Sequence, residues 1–163
     1  MKIQCLTHDD DTVDIPGDTH EGMVLDQQEL HRALLNNVHA PRASFRRANL
    51  RGAFMAEAVF DASDFTAANL DTAFLDRSSL VHCCFRDCQA IGCNFGQSDM
   101  RGVDLTGAQA AYAKFNGAQL HGARLLGTNL EKATFEGAVY DEHTEWPVGF
   151  NPQAAGARLI ADS

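Results

Sequence analysis

The chain has 163 residues, with 13 basic and 22 acidic side chains for a net charge of -9, 45% hydrophobic residues and 8% aromatic. That composition excludes a disordered tail and fits one folded domain, while the acidic balance argues against direct nucleic acid binding, because phosphate contacts are made chiefly by Lys and Arg. With no run of 18 apolar residues and no apolar core behind Met1, the expectation is a cytoplasmic chain that does not enter a membrane, whose five cysteines are free thiols rather than a disulfide framework.

In chain order, the first predicted element is a capping hairpin within residues 1–22. Lys2 to Leu6 alternates polar and apolar, Asp9-Asp10-Asp11 suits a turn, and Thr12 to Ile15 alternates again before Pro16 and Gly17. Residues 23–42 carry Leu25, Leu30 and Leu35 at intervals of five, with Gln28 and Ala40 out of pattern. They read as a degenerate first turn of the period that follows.

From Ala43 onward the period is five, without insertion or deletion. Every fifth residue from Phe45 to Tyr140 forms one column of 20 positions, 15 of them Leu or Phe, the exceptions being Met55, Ala90, Met100, Ala110 and Tyr140. Two residues before each lies a small, uncharged one, mostly Ala, with Ser63, Ser78, Cys83, Cys88, Cys93, Ser98, Val103 and Thr128 in its place elsewhere. Such a period fits neither a helix at 3.6 nor a flat strand at 2, so the chain must turn a corner every five residues. Four quintets close a coil of 20, its large and small columns inward, and residues n and n+20 stack about 4.8 Å apart.

Stacking predicts further columns. Asn49, Asn69, Gln89, Gln109 and Asn129 read as a carboxamide ladder. The stacked pairs Arg51 with Asp71, Glu57 with Arg77, and Asp104 with Arg124 read as outward ion pairs worth roughly 0.2–1 kcal/mol each. Ala90 and Ala110 leave volume in one inward column, which Phe85, Phe95 and Phe115 are placed to fill.

Quintets such as Ala48-Asn49-Leu50-Arg51-Gly52, Ala68-Asn69-Leu70-Asp71-Thr72 and Ala118-Gln119-Leu120-His121-Gly122 resemble the pentapeptide repeat family, whose pattern is a small residue, Asp or Asn, Leu or Phe, and two variable positions. The resemblance implies an all-β fold, a right-handed quadrilateral parallel β-helix, here over residues 23–142. It also implies one of two roles. Many bacterial members read as interaction or structural solenoids whose partner is unknown. Others protect DNA gyrase or topoisomerase IV from quinolones or other poisons by imitating DNA, and dimerise through C-terminal segments. For the second role the candidate surface contacts are Asp61, Asp64, Asp71 and Asp76. The charge distribution favours the first: residues 1–41 carry -6, 42–142 carry -2 and 143–163 carry -1.

Residues 143–163 form the last predicted element, a cap. Asn151 and Pro152 suggest the cap and first turn of a short helix toward Ile160, interrupted at Gly156. Trp146 and Phe150 are candidate dimer contacts, or a lid on the last coil, and Thr144 to Pro152 resembles a tail common in bacterial members.

Little in the sequence points to chemistry. Cys83, Cys88 and Cys93 fall on different sides of one coil, where four converging zinc ligands are not available, so they read as small core residues with Cys84 outward. The histidines at 8, 20, 31, 39, 82, 121 and 143 are dispersed. No nucleophile elbow or phosphate loop stands out. The reading is a non-enzymatic solenoid without metal or cofactor.

Overall fold

A computed structural model describes residues 2–5, 12–14 and 20–160. The proposed turn at Asp9-Asp10-Asp11, Pro16, Gly17 and the last three residues lie outside the described residues. β1 (Lys2–Gln4) pairs antiparallel with β2 (Thr12–Asp14).

From His20 the chain winds as a four-sided coil. Single parallel bridges join each side to the residue 20 positions on, through Val24–Ser44–Asp64–Cys84–Asp104–Arg124 on the first side, and through Glu29–Asn49, Leu34–Phe54 and His39–Val59 onward on the second, third and fourth. Each side is one bridging residue long because a corner follows at once. Leu50 N–H donates up to Asn69 O, Asn69 N–H down to Ala48 O, and Gly52 N–H up to Asp71 O, the scheme repeating from coil to coil. Residues 23–42 are wound in the same way, with Leu25, Leu30, Leu35 and Ala40 all buried and Gln28 turned to solvent.

The corners follow from backbone geometry. Ala48 N–H closes on Phe45 O at 3.0 Å, and Arg47 between them holds φ at 56°, which a type II turn demands of its third residue. The same column contains Gly52, Gly102 and Gly107, and also Arg77, Thr72 and Tyr112, all with positive φ.

The inward columns make one continuous core. Phe45, Phe65 and Phe85 stack on the first side at 4.8–4.9 Å, and Phe95, Phe115 and Phe135 on the third at 4.8–5.1 Å. The aromatic stack changes sides within one coil, where Phe85 and Phe95 meet edge to face at 5.7 Å. Ala90 lies between them in sequence, so the small side chain makes room for two rings at one level.

Buried hydroxyls are satisfied in a way the small column did not reveal. Ser63 Oγ accepts from Ala43 N–H at 2.9 Å and lies 3.4 Å from Ala40 O, Ser78 Oγ donates to Met55 O at 2.8 Å, and Thr128 Oγ1 donates to Leu105 O at 2.7 Å. Each reaches the corner one coil below.

The C-terminal end departs from expectation. The coil does not stop at residue 142: one extra residue enters the corner after Tyr140, and Thr144, Glu145 and Trp146 then form another side, with Glu145 bridged to Arg124 and Thr144 Oγ1 2.8 Å from Leu120 O. The expected short helix is replaced by a single turn. Asn151 Oδ1 accepts from Ala154 N–H, Ala157 N–H closes on Pro152 O, and Gly156 at φ 94° ends the turn, after which β4 (Arg158–Leu159) pairs parallel with β3 (Val139–Tyr140). The glycine one turn in leaves too few residues for a helix, and the open rung of the solenoid takes up the chain instead.

Candidate interaction surface

Three of every five residues face outward, and much of this surface serves the coil itself. In the repeating hydrogen-bond scheme the first corner residue is the one whose N–H has no backbone partner, and in many corners an Asp or Asn side chain takes it. Some act from two residues back: Asp64 Oδ1 accepts from Thr66 N–H at 2.8 Å, Asn69 Oδ1 from Asp71 N–H at 3.0 Å, and Asp104 Oδ1 from Thr106 N–H at 3.0 Å. Others act from the coil below, as Asp61 Oδ1 does for Val81 N–H at 3.0 Å and Asp71 Oδ1 for Ile91 N–H at 2.9 Å.

This corrects the carboxamide ladder. The column stacks as expected, but only Asn129 Nδ2 to Gln109 Oε1, at 3.3 Å, joins two of its side chains. Asn49 Oδ1 and Asn129 Oδ1 instead accept from Arg51 and Glu131 N–H. A corner amide with no backbone partner is a more demanding neighbour than another exposed amide.

The four candidate acids are not brought together. Asp61 lies on the corner between the fourth and first sides, Asp64 on the first side, Asp71 on the corner between the second and third, and Asp76 on the corner between the third and fourth, all within one coil. They ring the rod at one level. Asp61 also accepts from Ser79 Oγ at 2.6 Å, Asp64 lies 3.6 Å from Arg46, and Asp76 lies 3.3 Å from Arg77.

Of the stacked ion pairs, Glu57 with Arg77 forms at 2.9 Å and Asp104 with Arg124 at 3.8 Å. Asp104 also takes Arg86 at 2.6 Å. Burial would raise its carboxyl, but hydrogen bonds from Thr106 and Arg86 prevail and hold it below the usual aspartate value. Arg51 and Asp71 do not pair, because Asp71 is turned to Ile91 N–H.

Cys83, Cys88 and Cys93 are buried and Cys84 is partly exposed. Burial pushes all three buried thiols up, Cys88 to about 12. Cys83 Sγ–H donates to Phe60 O at 2.9 Å. Among the described residues no group of three or more His, Cys, Asp or Glu is placed to hold a metal ion.

Trp146 and Phe150 lie over the last coil. Trp146 meets Phe135 at 5.5 Å and Tyr140 at 5.3 Å edge to face, and stacks on Phe150 at 5.3 Å. The exposed apolar residues at this end are Val148, Leu159 and Ile160.

One long edge of the rod differs from the rest, and sequence reading passed over it. Leu34, Phe54 and Phe74 stack on the third side, the two rings 5.4 Å and 8° apart, with Phe74 42% exposed. On the adjoining corner lie exposed Ile91 and Tyr112. Beside the rings is a groove of about 430 Å³ lined by His31, Arg32, Arg51, Gly52, Thr72, Phe54 and Phe74. At the upper end Lys132 Nζ donates to Tyr112 OH at 3.2 Å. The signal was legible as Leu34, Phe54 and Phe74, 20 residues apart, in an outward column where charge or amide is the rule.

With this geometry, the comparisons with known proteins place the chain. It belongs to the pentapeptide repeat family: the sequence pattern of pentapeptide repeats matches in eight copies, over 29–66, 43–81, 58–97, 83–118 and 98–137. Among solved structures it is similar to Rfr23, a pentapeptide repeat protein from the cyanobacterium Cyanothece 51142, at 20% identity and TM-score 0.58 over 78% of this chain and 91% of that one. It is also similar to HetL, a pentapeptide repeat protein involved in heterocyst differentiation regulation in Nostoc sp. strain PCC 7120, at 18% identity and TM-score 0.43 over 87% and 85%. A third is QnrB1, a plasmid-mediated fluoroquinolone resistance protein, at 16% identity and TM-score 0.40 over 88% and 94%. No curated protein matches the sequence. Family and fold together make the coil a right-handed quadrilateral β-helix, a class built for structure and interaction rather than catalysis. No helix among the described residues is long and apolar enough to cross a membrane.

Proposed function

We propose that this protein is a non-enzymatic interaction solenoid that docks a protein partner on its outer surface, through the third side and the edge beside it. The observation that carries this reading is the stripe of exposed Phe74, Ile91 and Tyr112 continued by half-buried Phe54, which stacks on Phe74. Elsewhere on the coils the outward Asp and Asn side chains largely hold corner amides or arginines, whereas these rings do neither, and exposed contiguous apolar surface of this kind marks interaction sites. A photocrosslinking amino acid placed in turn at Phe74, Gln89, Gln119 and Cys84 samples the four sides in cells. Crosslinks to one protein from position 74 above the other three are expected; none from any side would retire the reading.

A second reading draws on the net charge of -9: a DNA mimic that binds DNA gyrase or topoisomerase IV and protects it from quinolones. Its contacts would be Asp61, Asp64, Asp71 and Asp76, whose carboxylates encircle the rod and are engaged with its own backbone, serine and arginine groups. Gyrase supercoiling with and without a quinolone tests it. Protection that disappears when the four are neutralised together supports mimicry, and no effect on the enzyme removes it.

A further inference from the structure

We propose that the occupant of the third side is an extended, acidic segment of a partner protein, its apolar side chains over Phe54 and Phe74 and its carboxylates at Arg32 and Arg51. This rests on the interaction reading above and adds the chemistry of the partner.

Charge is the first argument. Arg42 holds Glu21, Arg77 holds Glu57 and Asp76, Arg101 holds Asp99, and Arg124 holds Glu145. Arg32 and Arg51 are exposed and have no carboxylate within 4 Å among the described residues. Both line the groove that the two rings border, with His31 beside them. Asp71, the acid on this edge, has Oδ1 committed to Ile91 N–H. A chain with a net charge of -9 thus presents locally uncompensated guanidinium groups next to the exposed Phe74 ring and its half-buried neighbour Phe54, and complementary charge sets the choice and register of a partner.

Ring geometry is the second. Phe54 and Phe74 stack nearly parallel, so their facing π surfaces are already shared and their rims look outward. The rim of an aromatic ring carries partial positive charge, which favours carboxylates and backbone carbonyls. A polyanion would meet the net negative charge of the whole rod.

The backbone gives the third. Phe54 N–H is bonded to Ala33 O, Phe74 N–H to Ala53 O, and Phe74 O accepts from Met55 N–H. Along this part of the side the ladder is occupied in both directions, so a partner cannot add as a strand and must be read through its side chains.

Selection from a displayed library of random twelve-residue peptides tests the proposal, using the whole chain and, in parallel, the variant Phe74→Ala with Arg51→Glu. Both substitutions are on the outer surface, and an unchanged thermal melt verifies that the variant is folded. The expected result is enrichment of peptides that combine Asp or Glu with Leu, Phe or Trp. Their binding should fall at least tenfold in the variant, stay unchanged in Leu126→Ala on another corner, and weaken between 0.15 M and 0.5 M salt. Selected peptides without acidic residues would overturn the acidic segment while leaving the interaction reading intact, and equal binding to the variant would overturn the third side as the docking surface. Enrichment of nothing would retire both. Tighter binding of a twelve-residue oligothymidylate than of any selected peptide would replace the acidic segment by nucleic acid.

Discussion

Ser63 shows how much one atom decides in this fold. Its Oγ serves Ala43 N–H and sits by Ala40 O in a corner with no turn bond of its own. Ser63→Ala should therefore cost about 1–2 kcal/mol in urea melts, although the side chain loses only an oxygen, because a buried amide is left unpaired. A loss below about 0.3 kcal/mol would mean the amide finds another partner. Thr72 is the opposite case: a β-branched residue at φ 57°, in a conformation that costs L-residues about 1–2 kcal/mol. Glycine already occupies the same column at Gly52 and Gly92, and Thr72→Gly should stabilise by about 0.5–1 kcal/mol after its greater unfolded-state entropy is offset. The thiols divide by burial, since desolvation opposes formation of the reactive thiolate. Native thiol titration should label Cys84 well before Cys83, Cys88 or Cys93, and simultaneous labelling would contradict the inward placement.

At the scale of the element, the corner is the unit, and its demands reach into pH dependence. Asp141, in the corner with the extra residue, accepts from Gly122 N–H at 2.8 Å and His143 N–H at 3.1 Å, with Thr144 Oγ1 2.9 Å away. Burial would raise its carboxyl, but those hydrogen bonds prevail and hold it below the usual aspartate value. A lowered folded-state value means the group adds stability in full above its unfolded value of about 3.9, and loses it as pH falls through the lower folded one. Urea melts of the natural chain and of Asp141→Asn should therefore differ most near pH 6 and converge toward pH 2. A difference that is constant with pH would assign the effect to packing alone. The terminal elements obey the same requirement that an open rung be covered, β1 below through Leu34 N–H to Gln4 O and β4 above through Ile160 N–H to Tyr140 O.

For the whole molecule, six steps from Val24 to Glu145 at about 4.8 Å each make a rod about 29 Å long, with its sides closed and its ends the places where strand edges remain. Trp146 and Phe150, proposed as dimer contacts, pack on Phe135, and Trp146 also on Tyr140, which leaves Val148, Leu159 and Ile160 exposed for a second copy. If the chain dimerises through this end, light scattering should give twice the chain mass, and Leu159→Glu with Ile160→Glu should halve it while Trp146→Phe leaves it unchanged. A single chain mass for the natural protein would exclude the dimer.

The sequence by itself determined the period, the 20-residue coil, which columns are inward and the inward placement of three cysteines. Each depends on size and polarity recurring at fixed spacing, and a solenoid converts spacing directly into position. It could not show that the outward Asp and Asn side chains are bound to corner amides, that Phe85 and Phe95 meet edge to face across Ala90, or that Thr144 to Trp146 extend the coil after a one-residue shift. Those depend on which backbone groups lack partners and on which side chains meet across the rod. The short C-terminal helix was expected because capping residues are local signals. The exposed rung beneath it, a tertiary feature, offered backbone partners that one turn of helix could not match.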